Sequence, residues 1–413
     1  MTTDHPPGPS TDCDVLIVGG GPTGLFLALL LVGRGIDVRV IERRERPSIH
    51  SRAIGLHPPA LDALAAVGLE EEAVAAGSRI MSGDARGPSG PLGLLRFDRA
   101  SPQRPYVLTL PQSRTEELLA DRLAVIAPGA LIRGEEVLDV EDLGPQAVVT
   151  TRPTSEDHRT GAARSWRPRV VVGADGSRSI VRHLAGISTR LSAYPDSYLM
   201  GDIDRSPGAA DTAVIHLCSG GVVESFPLGG SRRRWVVHTG MAEQKGTTPA
   251  ATPADLTALV RVRVGVELDP DLCTMISPFT VRRRTAERMV TGRTVLIGDA
   301  AHEISPIGGQ GMTLGWLDAL ALAPLLEDVV RRGVRVPLPQ LPGFGRFERS
   351  RLRAARVGGR LAHLNTALGR PLPPRVARAR DGLLRSVLRT PLRHVLAWVY
   401  SMGWTKHAGA PRR

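Results

Sequence analysis

Residues 14–42 read DVLIVGGGPTGLFLALLLVGRGIDVRVIE. Val15–Val18 is a continuous apolar run, the pattern of a strand buried on both faces. Gly19-x-Gly21-x-x-Gly24 follows at once, then an apolar run of helical length that ends near Gly33 and Gly35. A second strand, Asp37–Ile41, ends at Glu42, 18 positions after the third glycine, the spacing of an acid that grips a ribose hydroxyl. Gly19 permits a tight turn, Gly21 lets the backbone approach a pyrophosphate, and Gly24 lets helix and strand pack closely. The helix start, with Pro22 and Thr23, offers free N–H groups and about half a positive charge to phosphates. A strand, a helix, a second strand and an acid in register predict a Rossmann-like dinucleotide-binding unit. FAD and NAD both use this motif, so it leaves the choice between them open.

The rest of the composition sets bounds. With 413 residues, 23% charged and 42% hydrophobic, the chain is an ordinary globular protein with room for two domains. A formal charge of +12 points to an acidic partner. However, the cations are nearly all arginine, Lys245 and Lys406 being the only lysines, and they are spread over the whole chain. This resembles a coding bias more than a binding stripe, and without a recognition motif no nucleic-acid partner is expected. Cys13, Cys218 and Cys273 lie far apart with no C-x-x-C pair, so neither a disulfide framework nor a metal site is indicated, and a cytoplasmic location is expected. Residues 1–12 are polar and proline-rich and read as a flexible tail, not a signal peptide. The most apolar stretch, residues 25–33, is too short to cross a bilayer, and no stable membrane insertion is expected.

Two further segments carry chemistry. RVVVGADGSRSIVRHL (169–184) runs a buried-type strand into Asp175-Gly176, an ordinary tight turn in isolation. Arg178 and Arg182 beyond it suit either a solvated helix face or a phosphate. GDAAHEISPIGGQGMTLG (298–315) follows the predicted strand Arg293–Ile297. There Asp299 can accept hydrogen bonds from a sugar hydroxyl. Gly308, Gly309 and Gly311 leave the backbone bare before a helix predicted from Gly311 to about Leu326. Those N–H groups can stabilise charge developing on a flat ring, and Pro306 stiffens the approach.

GGGPTG with Glu42, GADGSRS, and GDAAH…P…GGQGM…G…DA, in this order, resemble the single-component FAD-dependent aromatic hydroxylases of the p-hydroxybenzoate hydroxylase type. Arg52 in SRAIGLHPPALDAL and Gln112 in LPQSRTEELLADRL add to the resemblance, which covers about residues 13–330. It implies that Gly19, Gly21, Pro22, Thr23 and Gly24 hold FAD, with Glu42 on the adenosine ribose. Arg43, Arg52 and Gln112 would lie along the cofactor, Asp299 on the ribityl chain, and Gly309, Gly311 and Met312 beside the isoalloxazine. Asp175 would serve both the flavin and a passing nicotinamide. His302 and Pro306 are the weak catalytic candidates in a flavin-centred site. Thr313 stands where the family commonly has asparagine, and a hydroxyl replaces only some of an amide's hydrogen bonds.

Between Leu191 and Val281 short runs such as TAVIHL (212–217), VVESF (222–226) and RRWVVHTG (233–240) predict an antiparallel sheet. In the resembled family such an inserted sheet shapes the substrate pocket. Tyr198, His216, Phe226, Trp235 and His238 are the lining candidates, although alternation sends about half of such residues into packing. Arg232–Arg234 read as water-facing, with one available to a carboxylated substrate. Residues 375–404 read as helical with a break at Pro391, packed on the domain's flank in preference to a membrane surface. The expected organisation is an FAD-binding domain from 13–75, 105–185 and 285–345, a substrate domain from 76–104 and 186–284, and a C-terminal helical segment, 346–413.

The activity this implies is a monooxygenase of secondary metabolism. NADPH or NADH donates electrons transiently, O2 is the co-substrate, and a flavin hydroperoxide hydroxylates or epoxidises a small phenolic or polyketide-type molecule. The alternative is an FAD-dependent reductase of the geranylgeranyl reductase type. The W-x-W-x-I-P signature of flavin-dependent halogenases is absent from the chain.

Overall fold

The computed structural model describes residues 12–47, 53–154, 163–241, 251–305 and 307–407. Cys13–Val18 forms the predicted strand, with Val15, Leu16 and Ile17 fully buried, as its unbroken apolar run requires. It lies inside a six-stranded sheet ordered 290–291, 294–296, 168–173, 13–18, 38–42, 131–133. Every pairing in it is parallel except the terminal 290–291/294–296 pair. The helix Pro22–Val32 has Pro at its start and Gly33 at its end, and eight of its residues are buried. Apolar on all sides, it cannot lie on a surface. It fills the space between this sheet and the helix Gly311–Arg331, which runs further than the glycine signals alone predict.

A second sheet of eight strands is ordered 302–303, 273–286, 189–203, 233–241, 221–227, 212–218, 82–87, 90–96. It is antiparallel as expected, save that 212–218 pairs in parallel with 82–87. The helix Pro253–Val264 covers one face, where Leu256 and Val260 pack with Trp235 and Val237. Three helices end the chain: Pro342–Gly369, Pro374–Arg389 and Leu392–Tyr400.

The two sheets are joined at one heavily bonded point. Asp318 is fully buried; it accepts from His302 Nε2 at 2.6 Å, from Arg351 Nε at 2.7 Å and from Gly298 N at 3.0 Å. The carboxylate thus ties the loop after strand 294–296 to the edge strand 302–303 and to the helix Pro342–Gly369. No described helix is long and apolar enough to cross a membrane.

Candidate active site

The first glycine loop is built by exclusion. A side-chain carbon on Gly24 would stand 2.0 Å from the Gly19 carbonyl oxygen, and one on Gly19, at φ +110°, would stand 2.4 Å from the Ala174 oxygen. At Gly21 nothing lies within 4 Å. Two of the glycines therefore close the turn and one leaves an open cradle at the helix start. Gly21 is also the helix N-cap and has no side chain to bond the first N–H groups, which leaves them to a ligand. Glu42, 5% exposed, faces the same loop; its Oε2 accepts from Gly20 N at 2.7 Å, and its Oε1 from Arg44 N and Nε at 3.0 and 2.8 Å. Burial pushes this carboxyl up, but the bonds from Arg44 and Gly20 outweigh it and hold it ionised below the usual range. Arg44 is thus the neighbouring cation that engages Glu42, while Arg43 is exposed. Gln112 Nε2 donates to Glu116 at 2.9 Å, behind Arg44. Arg52 and Pro306 lie outside the described residues.

The late glycine stretch meets this loop. A side-chain carbon on Gly315 would lie 2.6 Å from Thr23 Oγ1, and one on Gly298 3.0 Å from the same hydroxyl. Trp316 Nε1 donates to the Pro22 oxygen at 3.0 Å, and its ring sits 5.2 Å from that of Phe26. Asp299 follows Gly298 and stands beside Gly311. Its side chain is open to solvent at a point where the surrounding protein is dense. Its carboxyl is raised to about 6, first by the enclosing protein and then by Glu303, with His302 opposing. Asp175 is otherwise engaged: Oδ2 accepts from Ile180 N and Val181 N at 2.7 and 3.1 Å, while buried Oδ1 has no partner. Arg182 is neither a solvated nor a phosphate-facing residue. It is 6% exposed and donates to Ala300 and Ser177 oxygens at 2.8 and 3.0 Å, bracing the Asp299 turn.

His302 is 1% exposed and held by Asp318. Burial opposes a charge on it, but Asp318 outweighs burial and raises the ring above its ordinary range. This is the environment of a strut, and nothing exposes the ring to a reactant. His57, which the sequence analysis passed over, has a role at the glycine turn. It is 1% exposed, and Nε2 stands 3.0 Å from the Gly308 oxygen. Burial lowers it to about 4, so the ring is neutral, Nε2 carries the proton, and Nδ1 is an acceptor without a partner. Thr313 is fully buried with its hydroxyl unpaired, inside the helix packing.

A cavity of about 280 Å³ opens where this turn meets the second sheet. Gly55, His57, Gly308 and Gly309 form one end. Leu217, Val222, Phe226, Val236 and Phe279 from the sheet, and Leu384, Leu388 and Tyr400 from the last helices, are among the rest. Among the five substrate candidates, Phe226 is the one on this wall. The other four need correction, and strand alternation is the reason. Trp235 points to the opposite face, under the helix Pro253–Val264, and bonds Ser206 at 3.2 Å. His216 alternates with the lining residues Ile215 and Leu217. Tyr198 is stacked 5.3 Å from Phe279 inside the core, and His238 bonds buried Asp196 at 3.2 Å. Nor do Arg232–Arg234 face water as a group. Arg233 and Arg234 are buried, and all three are bonded, Arg232 to Asp204, Arg233 to Ser225, Arg234 to Asp202. The residue missed is Glu224, which alternation places on the cavity face two positions before Phe226.

Comparison with known proteins now adds to this geometry. Residues 12–336 match the family described as FAD binding domain. The chain belongs to that family. It is 37% identical to the 6-methylpretetramide 4-monooxygenase of Streptomyces rimosus over 336 residues, covering 78% of this chain and 57% of that protein. It is 36% identical to an uncharacterised aromatic compound monooxygenase of Bacillus subtilis, covering 77% and 62%. The chain thus spans about three-fifths of the length of these two relatives. Among solved structures, anhydrotetracycline hydroxylase from Streptomyces rimosus matches with a TM-score of 0.74 at 28% identity, over 94% of this chain and 76% of that one. These likenesses belong to the FAD-dependent aromatic hydroxylases that the sequence motifs resemble. They choose FAD over NAD as the dinucleotide of the glycine loop.

Proposed function

We propose that the protein is an FAD-dependent monooxygenase that uses NADPH or NADH and O2 to hydroxylate, or epoxidise, a phenolic or fused-ring polyketide-type molecule held in the apolar cavity. The observation that carries this reading is the closure of the late glycine stretch on the first loop. Gly298 and Gly315 pack on Thr23, Asp299 stands beside Gly311, and Gly308–Gly309 of the same stretch form one end of the cavity. An open cradle, uncapped N–H groups, an acid at each end and bare glycine backbone are a donor set that suits FAD. In this reading Gly19–Gly24 and Glu42 hold the adenosine half. Arg43, Arg52, Gln112 and Asp175 lie along the cofactor, Asp299 takes the ribityl chain, and Gly309–Met312 flank the ring. When bound, FAD supplies the electron and oxygen chemistry. The chain supplies position and dryness. The neutral His57 fixes the Gly308 carbonyl without placing a charge beside the ring, and the aliphatic wall excludes water. The three-part domain division stated from the sequence is proposed with it, the cavity then lying between the FAD-binding and substrate parts.

The relatives named for tetracycline-type and aromatic substrates support the ring system, and the monooxygenases among them favour oxygen transfer over the reductase alternative. Purified protein should be yellow and oxidise NADPH or NADH faster with a panel of fused-ring phenols. Rapid mixing of the reduced protein with O2 and each phenol should yield an oxygenated product. Release of hydrogen peroxide alone across the whole panel would overturn the proposal.

A further inference from the structure

Glu224 sits in the strand Gly221–Pro227, opposite Val236 and two residues from Phe226, on the face that lines the cavity. A charged side chain in such a place is normally paired. Glu224 forms neither a hydrogen bond nor an ion pair with a described residue. The cations and titratable groups around it are accounted for. Arg234, on the neighbouring strand and the same wall, bonds Asp202 at 2.6 and 2.8 Å. His57, on the segment before the helix Pro58–Ala66, is neutral. Tyr198 is buried and Tyr400 half-buried, and desolvation first, then the charge of Glu224, pushes their hydroxyls further from ionisation. Burial alone raises the Glu224 carboxyl to about 7. The rest of the wall is mostly aliphatic and aromatic, with Asn365, Thr109, His57, Tyr400 and the Asp202-bound Arg234 as its other polar side chains, so Glu224 is the one carboxyl among the described lining residues.

We propose that Glu224 selects and activates the substrate by accepting the hydrogen bond of a neutral phenolic hydroxyl and then taking its proton. The O–H bond breaks, the proton moves to a Glu224 carboxylate oxygen, and the electron pair stays on the phenol oxygen, enriching the ring that is to be oxygenated. No oxidant or reductant is needed for this step, and the carboxyl returns the proton as product leaves. The site therefore takes a neutral hydroxyl donor and rejects a carboxylated substrate, whose charge would face a second carboxylate in an apolar chamber. This assignment rests on the monooxygenase reading for the step that follows deprotonation, but the recognition stands apart from it.

The test is equilibrium dialysis of the full-length holoprotein at pH 8 against 2-naphthol, its methyl ether and 2-naphthoate. A hydrogen bond to a charged acceptor predicts that 2-naphthol binds about tenfold more tightly than the ether, or better, with naphthoate weakest. Glu224→Leu should erase the preference. Glu224→Gln keeps an acceptor of the same shape and should retain 2-naphthol binding within a few-fold. It should also lose the rise in naphthol-dependent turnover that the wild type shows through about pH 7. Equal binding of naphthol and ether by the wild type, binding of neither, or an undiminished preference in Glu224→Leu would each overturn the assignment. If instead the protein retained no FAD or formed no oxygenated product while the binding ratio held, the monooxygenase reading would fall and the recognition role of Glu224 would stand.

Discussion

At the residue scale, Glu224 and the glycines of the first loop set local stability against function. A half-buried carboxyl whose folded pKa lies near 7, against about 4.5 unfolded, prefers its protonated form in the folded state. The folded chain then binds more protons than the unfolded one between those values, so stability falls as pH rises from about 4.5 through about 7. Glu224→Gln should therefore be more stable than the wild type at pH 8 by about 2 kcal/mol and nearly equal to it at pH 4.5, measured by urea unfolding at both pH values. Two glycines three positions apart in the motif should answer oppositely to alanine. Gly24→Ala forces a carbon against the Gly19 oxygen and should cost about 1–3 kcal/mol or more of stability. Gly21→Ala meets no atom and has an ordinary φ of −81°, so its melting temperature should hold. Its FAD affinity should nevertheless drop about tenfold or more, since the added methyl occupies the cradle. Loss of stability in Gly21→Ala, or full affinity, would show that this glycine serves the fold alone.

At the scale of elements, the late motif works by fastening rather than by reacting. Asp318, in the second turn of the helix Gly311–Arg331, holds His302 on an edge strand, Arg351 on the next helix and the backbone of Gly298. Asp318→Ala would leave Arg351 and a protonatable His302 buried without their counter-ion, and breaking a buried pair in this way costs about 3–5 kcal/mol. Thermal unfolding should show that loss. The Asp299 turn, one residue from Gly298, should loosen with it, so residual folded protein should bind FAD weakly. Asp299→Ala makes the contrasting case. Its side chain reaches solvent, and neither a hydrogen bond nor an ion pair ties it to a described residue, so the fold should be unharmed while most flavin is lost on gel filtration. Retention of a full flavin complement would show that the ribityl contact lies elsewhere.

At the scale of the whole molecule, the last helices complete the cavity. Leu388 packs so closely on strand 90–96 that a side-chain carbon at Gly93 would lie 2.6 Å from it. Arg370 anchors the approach through Asp196 at 2.7 and 2.9 Å, and Leu384, Leu388 and Tyr400 face the cavity. The outer side of these helices leaves Leu383, Leu392 and Val395 more than half exposed, as their amphipathic sequence dictates. A chain ending at residue 372 should keep the Gly19–Gly24 cradle but bind FAD less tightly, because it loses Met402 packed on Ile304 and Leu314 and the Tyr400 ring beside His57. With its roof gone, the reaction should release hydrogen peroxide in place of much of its product, read by a peroxide assay alongside substrate consumption.

The glycine-rich strand–turn–helix unit and its acid were legible in the chain because such a unit is local. Steric closure of a tight turn, the periodicity of a buried strand and the 18-residue reach to Glu42 all act within one segment. The same holds for the late motif, whose glycines announce bare backbone wherever they stand. The alternating runs at 212–217, 222–226 and 233–240 likewise announced a sheet, but not which of its two faces meets a ligand. Period-two alternation leaves both phases open, and a helix covering one face settles the choice. That is why Phe226 and Glu224 line the cavity while Trp235 supports the far side, and why Arg234 is spent on Asp202. The tertiary structure alone decided that His57, some 250 positions before Gly308, should hold its carbonyl, and that the C-terminal helices should roof a pocket. Short-range sterics determined the cradle; long-range packing determined what stands opposite it.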